Sequence, residues 1–378
     1  MSEIVILKSL QAAMKELEQE SCHEGYWYSI HEALIILLCG LLCQQKTVSE
    51  IHEWTEANPT RTFLADEFGI NKIPCRAQFY NILGYVNAEK FNYHFTKWVQ
   101  TLLPGSLLGK TVAIDGKTIC STDKLTEDGS VLHIASAIVS EYGLVIGSQE
   151  CGTKTGEITA FRELIKMLEI QGAVVVADAL HCNRKSTEAV VEAGADYLFV
   201  IKDNVPKVKA DIELYIHEET VETYTTIEKN GGRIEKRTAY ASCDIEWLDG
   251  RENFKNLSCI GAIHRQFEKG NQTSSEWHYY ISSKPLTPEE LLFHARMEWG
   301  VEAMHWLLDV HFSEDKTRVW DMNLQKNLNI MRKTVLNLAK VYKSKKHPKS
   351  SLVGILRRNL FDFQMLSDFL SFFMETVN

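Results

Sequence analysis

The chain has 378 residues, 41 Lys and Arg against 50 Asp and Glu, and a formal net charge of −9. That length carries two or three domains and a large core, so small-domain remedies such as disulfide stapling are not needed. Nine cysteines without a Cys-x-x-Cys pair point to free thiols in a reducing cytosol rather than a disulfide framework or a zinc site.

The amphipathic start (Ile4, Leu7, Leu10, Met14, Leu17) has no signal-peptide apolar region, and the longest apolar run, Ala33 to Cys43, is too short to span a bilayer. A soluble, cytoplasmic protein is therefore expected, without membrane partners. Residues 1–105 read as an all-helical domain, with helical spacing in Glu3–Glu20, Ser29–Gln45, Ser49–Glu56 and Ala88–Leu103. The segment Ile73–Leu83, after a turn at Phe68-Gly69, reads either as the second helix of a DNA-binding helix-turn-helix or as a plain packing helix.

After Pro104-Gly105 the period becomes strand-like. Thr111–Ile119, Val131–Ser140 and Leu144–Gln149 read as strands, the last two joined at Glu141-Tyr142-Gly143. A helix (Glu157–Ile170), an apolar strand (Ala173–Ala177), a helix (Arg184–Ala193), a second apolar strand (Tyr197–Ile201) and a helix (Val205–Glu218) follow. Three antiparallel strands and then βαβα units give the order of an RNase H-like α/β fold, a mixed sheet flanked by helices. Residues 222–285 interrupt that rhythm with hairpin-like text and read as a β-rich insertion within a catalytic domain spanning 106–345.

Helical text returns over Pro288–Phe312, where Glu298, Glu302, His305 and Asp309 share one face. Asp115 closes the apolar run Thr111–Ile114, Asp178 closes Val174–Ala177, and Glu302 lies on this helix, a distribution that suggests a two-metal site. Hard divalent cations favour such carboxylate oxygens. His181 and His305 read as hydrogen-bonded structural histidines, and Trp299 and Trp306 are expected in the core.

From Met322 to Arg358 there are ten Lys or Arg and no acid. Leu324, Leu328, Met331, Val335, Leu338 and Tyr342 form a packing face, while Lys326, Lys333 and Lys340 recur every seven residues along another. With Arg332, that stripe is expected to track a phosphate backbone. Residues 346–378 read as a basic linker and a C-terminal helix.

Six segments carry a resemblance. They are Ile114-Asp115-Gly116-Lys117-Thr118, Lys154–Ala160, Val176–Cys182, Gly194–Leu198 with Lys202-Asp203-Asn204, Gly232–Arg237, and Trp299–Arg318. In this order and spacing they resemble bacterial insertion-sequence transposases of the ISAs type, also called H-repeat-associated proteins, of the DDE superfamily. The resemblance covers nearly the whole chain and implies metal-dependent DNA strand cleavage and transfer. Asp115 and Asp178 would be the two catalytic aspartates and Glu302 the glutamate. All three would hold two Mg²⁺ (or Mn²⁺) ions roughly 3.5–4 Å apart, with Asp115 bridging. The partner implied is double-stranded DNA, the element's ends and its target, with self-association into a homo-oligomer on DNA. Lys117, Lys154 and Arg233 are further candidate DNA contacts.

The chain departs from the family pattern at Cys120-Ser121 (commonly Arg-Gly), Glu298 (His), Ala303 (Asn) and Gly231 (His). None of these removes an implied ligand. Two other classes share the pattern: a decayed or domesticated DNA-binding protein without turnover, and an RNase H-like nuclease.

Overall fold

In the computed structural model of the chain, residues 6–21, 28–103, 105–119, 131–152, 154–270, 272–317, 319 and 321–373 are described. The N-terminal part is helical: α1 (Ile6–Ser21), α2 (Ile30–Leu42), α3 (Val48–Glu56), α4 (Asn58–Phe68), α5 (Arg76–Tyr85) and α6 (Ala88–Gln100). Local chemistry sets the ends. Ser29 caps α2 by accepting from the Glu32 N–H, and Thr47 with Glu50 forms a reciprocal capping box on α3. Gly69 ends α4 at φ 70°, a left-handed conformation that a side chain would strain.

Nine strands then form one mixed sheet in the order β3-β2-β1-β4-β5-β9-β8-β7-β6. They are β1 (Thr111–Thr118), β2 (His133–Val139), β3 (Leu144–Cys151), β4 (Val174–Ala177), β5 (Asp196–Ile201), β6 (Glu222–Asn230), β7 (Arg233–Ser242), β8 (Cys259–Lys269) and β9 (Gln272–Ser282). The β1–β4 and β4–β5 pairs are parallel and the others antiparallel. β4, and β5 after Asp196, are apolar because strands covered on both faces have no polar side to present. The 222–282 text does not stand apart from the sheet. β9 pairs with β5, so the hairpins extend it.

Between and after the strands lie α7 (Lys154–Met167), α8 (Arg184–Glu192), α9 (Pro206–Glu218), α10 (Pro288–Met297), α11 (Trp299–Phe312), α12 (Met322–Lys346), α13 (Leu352–Phe361) and α14 (Phe363–Phe372). The single helix expected over 288–312 is two. The Ser140 hydroxyl donates to the Met297 carbonyl at 2.8 Å, and the Glu298 and Val301 amides bond three residues back, so the ladder tightens and turns there. A Cβ on Gly300 would lie 3.1 Å from the Ser140 oxygen, so glycine lets α11 approach β2 this closely.

The 25-residue α12 runs between the sheet and the N-terminal helices, touching α2, α5, α6 and β3. Buried amides stitch it in place. Asn327 donates to the carbonyls of Leu83 and Val86 at the end of α5, and Asn337 exchanges two bonds with the Val145 backbone, at 2.9 and 2.8 Å. Asn337 is fully buried, so Asn337→Leu would leave that N–H and C=O of Val145 without their partner. A loss of about 2 kcal/mol or more in urea unfolding is expected; a loss below about 0.5 kcal/mol would show that the backbone finds other partners. No helix among the described residues is long and apolar enough to cross a membrane.

Candidate active site

The parallel register of β1 and β4 puts two aspartates side by side. Thr111 pairs with Val174 and Ala113 with Val176, so two further residues along each strand bring Asp115 level with Asp178 on the same face. Asp115 is not the strand's end, as its sequence suggests. β1 continues to Thr118 and Asp115 faces Ser136 of β2. Asp178 follows the last residue of β4 and caps a short 3₁₀ turn by accepting from the Leu180 N–H at 3.0 Å.

Helix α11 crosses this face. His305 Nδ1 lies 3.7 Å from Asp115 Oδ2, and Glu302, one turn earlier, is exposed and belongs to the same electrostatic cluster. Burial, reinforced by the negative charges of Asp178, Glu157 and Glu302, raises the Asp115 carboxyl to about 6. Glu298, at the joint between α10 and α11, is raised to about 7, first by burial and then by Asp178, Asp115 and Glu302. It is therefore a fourth carboxyl of the group. The signal was in the sequence, since Glu298 lies four residues before Glu302, but its role needed the fold of the joint. His305 is pushed down to about 4 by burial and by the nearby Lys333 and Lys117, so it is neutral at ordinary pH.

A second group supports the aspartates from β2 and α7. Glu157 accepts from His133 Nε2 at 3.0 Å and lies 3.6 Å from His181 Nε2, which is itself 4.0 Å from Asp178 Oδ1. His181 is buried and stacked on Phe161. A Cβ on Gly116 would sit 2.6 Å from Glu157 Oε1 and 2.7 Å from His133 Nε2, so the glycine after Asp115 makes room for this pair.

Lys117 is not a free cation. Its ammonium bonds Asp309 at the end of α11, Glu314 Oε2 at 2.8 Å and, at 3.5 Å, Asp315 Oδ1. Among the described residues these three acids are the one group of three whose oxygens lie within 4.8 Å of one another. Asp115, Asp178 and Glu302 are more open than that, as expected for carboxylates that repel.

The cationic stripe expected on α12 is corrected by the fold. Arg332 and Lys333 are buried, the first donating to Thr317 Oγ1 and the second to Ser136 Oγ at 3.0 Å. Lys340 is covered and donates to the Gly143 carbonyl, and Lys326 pairs with Glu150. The face that would be solvated on an isolated helix lies under the sheet and the N-terminal helices. Exposed charge persists beyond it, at Lys345, Lys346 and Lys349. Arg233 starts β7, lies 3.3 Å from Glu235 and stacks on Phe267. Lys154 opens α7, but its side chain and Cys120-Ser121 lie outside the described residues.

The tryptophans are also corrected: Trp299 is 48% and Trp306 57% exposed. Trp299 carries the guanidiniums of Arg265 and Arg237 at 5.3 and 5.8 Å from its ring centre. With Asp178, Glu298, Glu302 and Lys202 these residues line a cavity of about 170 Å³ beside the acids.

The carboxylates suit a hard divalent cation, which relieves their mutual repulsion. The sign of the pH dependence follows from the two raised carboxyls. Below about pH 6 both are largely neutral, and a cation placed in this group would have to displace protons; above about 7 both are charged and the group is more negative. Mn²⁺ titrated into metal-free protein is therefore expected to bind more tightly at about pH 8 than at about pH 5.5, with proton release at the lower value. Equal affinity at both, measured by calorimetry, would contradict this.

Residues 109–338 match the family described as "Transposase DDE domain", and residues 13–99 match "DDE_Tnp_1-associated". The chain is 29% identical to "H repeat-associated putative transposase YhhI" of Escherichia coli (strain K12) over 335 residues, 84% of this chain and 87% of that one. It is 31% identical to "Putative protein YbfL" of the same strain over 290 residues (72% and 76%), and 28% identical to "Putative transposase YncI" of Escherichia coli O157:H7 over 325 (82% and 82%). A solved piggyBac transposase synaptic complex with hairpin DNA is a distant likeness, with a TM-score of 0.45 and 11% identity over 99% of this chain and 80% of that one.

Proposed function

The chain belongs to the transposase DDE-domain family, and from that premise we propose that it cuts and joins DNA strands at the ends of an insertion sequence, in a reaction that depends on divalent metal. The observation that carries the proposal is the in-step placement of Asp115 and Asp178 on parallel strands under the helix that bears Glu302. An RNase H-like core is the finer reading of the sheet. Its support is the order β3-β2-β1-β4-β5, with two antiparallel strands at one edge and three parallel strands inward.

Asp115, Asp178 and Glu302 are the residues that would hold two Mg²⁺ or Mn²⁺ ions. When bound, the metal activates the attacking hydroxyl and neutralises the leaving oxygen. The chain's own part is positioning. Glu298, its carboxyl raised to about 7, carries less charge at neutral pH than an ordinary glutamate would in an already crowded group. His305 stays neutral and fills the space beside Asp115 without adding a competing cation. Lys202, exposed next to Asp178, is suited to a substrate phosphate, and the Trp299 ring offers a flat apolar surface beside it.

The test is a duplex carrying the DNA that flanks the gene on each side, incubated with protein and Mn²⁺. Nicks leaving 3′-hydroxyls at the ends of the insertion sequence are expected. Metal-dependent binding or no binding, with no nicks in Mn²⁺ or Mg²⁺, would overturn the proposal in favour of a binding protein without turnover.

For the DNA path, the exposed lysines in the last turn of α12 and just after it replace the buried stripe. Lys345, Lys346 and Lys349 changed together to Gln are expected to weaken binding to all sequences alike, and to lower the log–log salt slope by about 0.9 for each phosphate no longer neutralised. An unchanged slope would place the path elsewhere.

A further inference from the structure

Glu302 is the carboxylate whose position the fold explains least directly. Among the described residues it has no hydrogen-bond or ion-pair partner of its own, and its side chain is exposed. Where it stands is therefore set by the helix that carries it. Helix α11 is held at its other end by an arrangement that helix packing alone does not require. Ser313 takes a left-handed conformation, φ 53°, and this turns Glu314 back beneath the helix. Such a conformation is unfavourable for a serine by about 1 kcal/mol. Glu314, 1% exposed, then gives one oxygen to Lys117 and the other to Asn329 of α12, at 2.5 Å. Asp309 and Asp315 close on the same ammonium.

We propose that Lys117 is a positioning residue for Glu302: its ammonium is the fixed cation that ties the end of α11 to β1 and so sets where Glu302 stands over Asp115 and Asp178. The inference rests on the reading of those three carboxylates as the metal holders. Two geometric facts support it. Lys117 is two residues after Asp115, so both side chains leave β1 on the same face and one rigid strand carries the anchor and the shared aspartate. Asp309 is seven residues after Glu302, two turns along, so the two lie on one helix face and a grip on Asp309 fixes the rotation of Glu302. A salt bridge serving stability alone would not need this alignment with the site.

Asp309→Ala is the informative variant. It loosens the grip on α11, leaves Glu314 and Asp315 to hold the ammonium, and creates no new acidic pocket. Titration of Mn²⁺ into the metal-free full-length protein is expected to show affinity lowered about 10–100-fold, the range for losing a residue that orients a metal ligand. Amide hydrogen exchange over residues 299–306 should speed up while the melting temperature changes little. Lys117→Arg should remain closer to wild type than Lys117→Met in the same exchange measurement, because it keeps the cation. Unchanged Mn²⁺ affinity and unchanged exchange in Asp309→Ala would overturn the proposal. Asp115→Asn separates this from the underlying reading. If that variant bound Mn²⁺ as wild type does, the assignment of the carboxylates would fall; if it lost binding while Asp309→Ala did not, only the positioning role would.

Discussion

Asp115→Asn, Asp178→Asn and Glu302→Gln are each expected to lower Mg²⁺- or Mn²⁺-dependent nicking of a terminal-repeat duplex by about a thousandfold or more, with DNA binding largely kept. The size follows from the chemistry assigned to them. A bound metal stabilises developing charge by several kcal/mol, and about 4 kcal/mol is a factor near 10³ in rate. Removing one ligand charge from a site in which the ions share carboxylates forfeits most of that. Ala303, on the same helix turn but assigned no role, is the control: Ala303→Ser should cut as wild type does. Near-wild-type nicking by Asp178→Asn would remove Asp178 from the site, and with it the meaning of the β1–β4 register.

The largest expected effect on stability lies in the buried ion group around Glu314. Despite complete burial, its carboxyl is held below the ordinary range by Lys117, Lys333 and Arg332. Glu314→Ala would leave the buried Lys333 and Arg332 without their nearby acid, with Lys117 kept by Asp309 and Asp315 alone, and breaking a buried pair in this way typically costs about 3–5 kcal/mol. Glu314→Gln keeps the bond from Asn329 and should cost less. The pH dependence has a definite sign. Since the folded pKa is depressed from 4.5, the stabilisation by Glu314 is complete above that value and is lost as the pH falls through the folded one. Urea unfolding of both variants at neutral pH measures the effect; a cost below about 1 kcal/mol for Glu314→Ala would mean that the cations are solvated rather than caged.

Much of this architecture could be read from the chain because the elements involved are simple. The runs at 111–114 and 173–177 announce themselves as short, largely apolar stretches rich in β-branched residues, and in each the aspartate follows the run directly, which the parallel register then sets level. Glu302 was legible as the carboxylate of an amphipathic helix. The joint at Glu298 was not, because it depends on the Ser140 hydroxyl reaching Met297 across 157 residues of sequence. The fate of α12 was hidden for a related reason. Its heptad of lysines predicts a wet face, but α2, α5, α6 and the sheet close around it, and Lys333 finds Ser136 and Lys340 finds Gly143. The amides Asn329 and Asn337 on that face, with Asn327 on the neighbouring one, were the available clue, since so many side-chain amides along one helix suit buried polar partners. The tryptophans erred in the other direction. Trp299 looks like core by its helical spacing, yet the β6–β9 extension brings Arg237 and Arg265 to its ring and leaves its outer half in solvent.

Whether Asp115, Asp178 and Glu302 together hold the reaction's metal is read from crystals soaked in Mn²⁺, through anomalous scattering. Two peaks are expected, both touching Asp115, one also touching Asp178 and the other Glu302, and none within the Lys117 group, where an ammonium already satisfies Asp309, Glu314 and Asp315. A peak in that group with none at Asp115 would contradict the assignment.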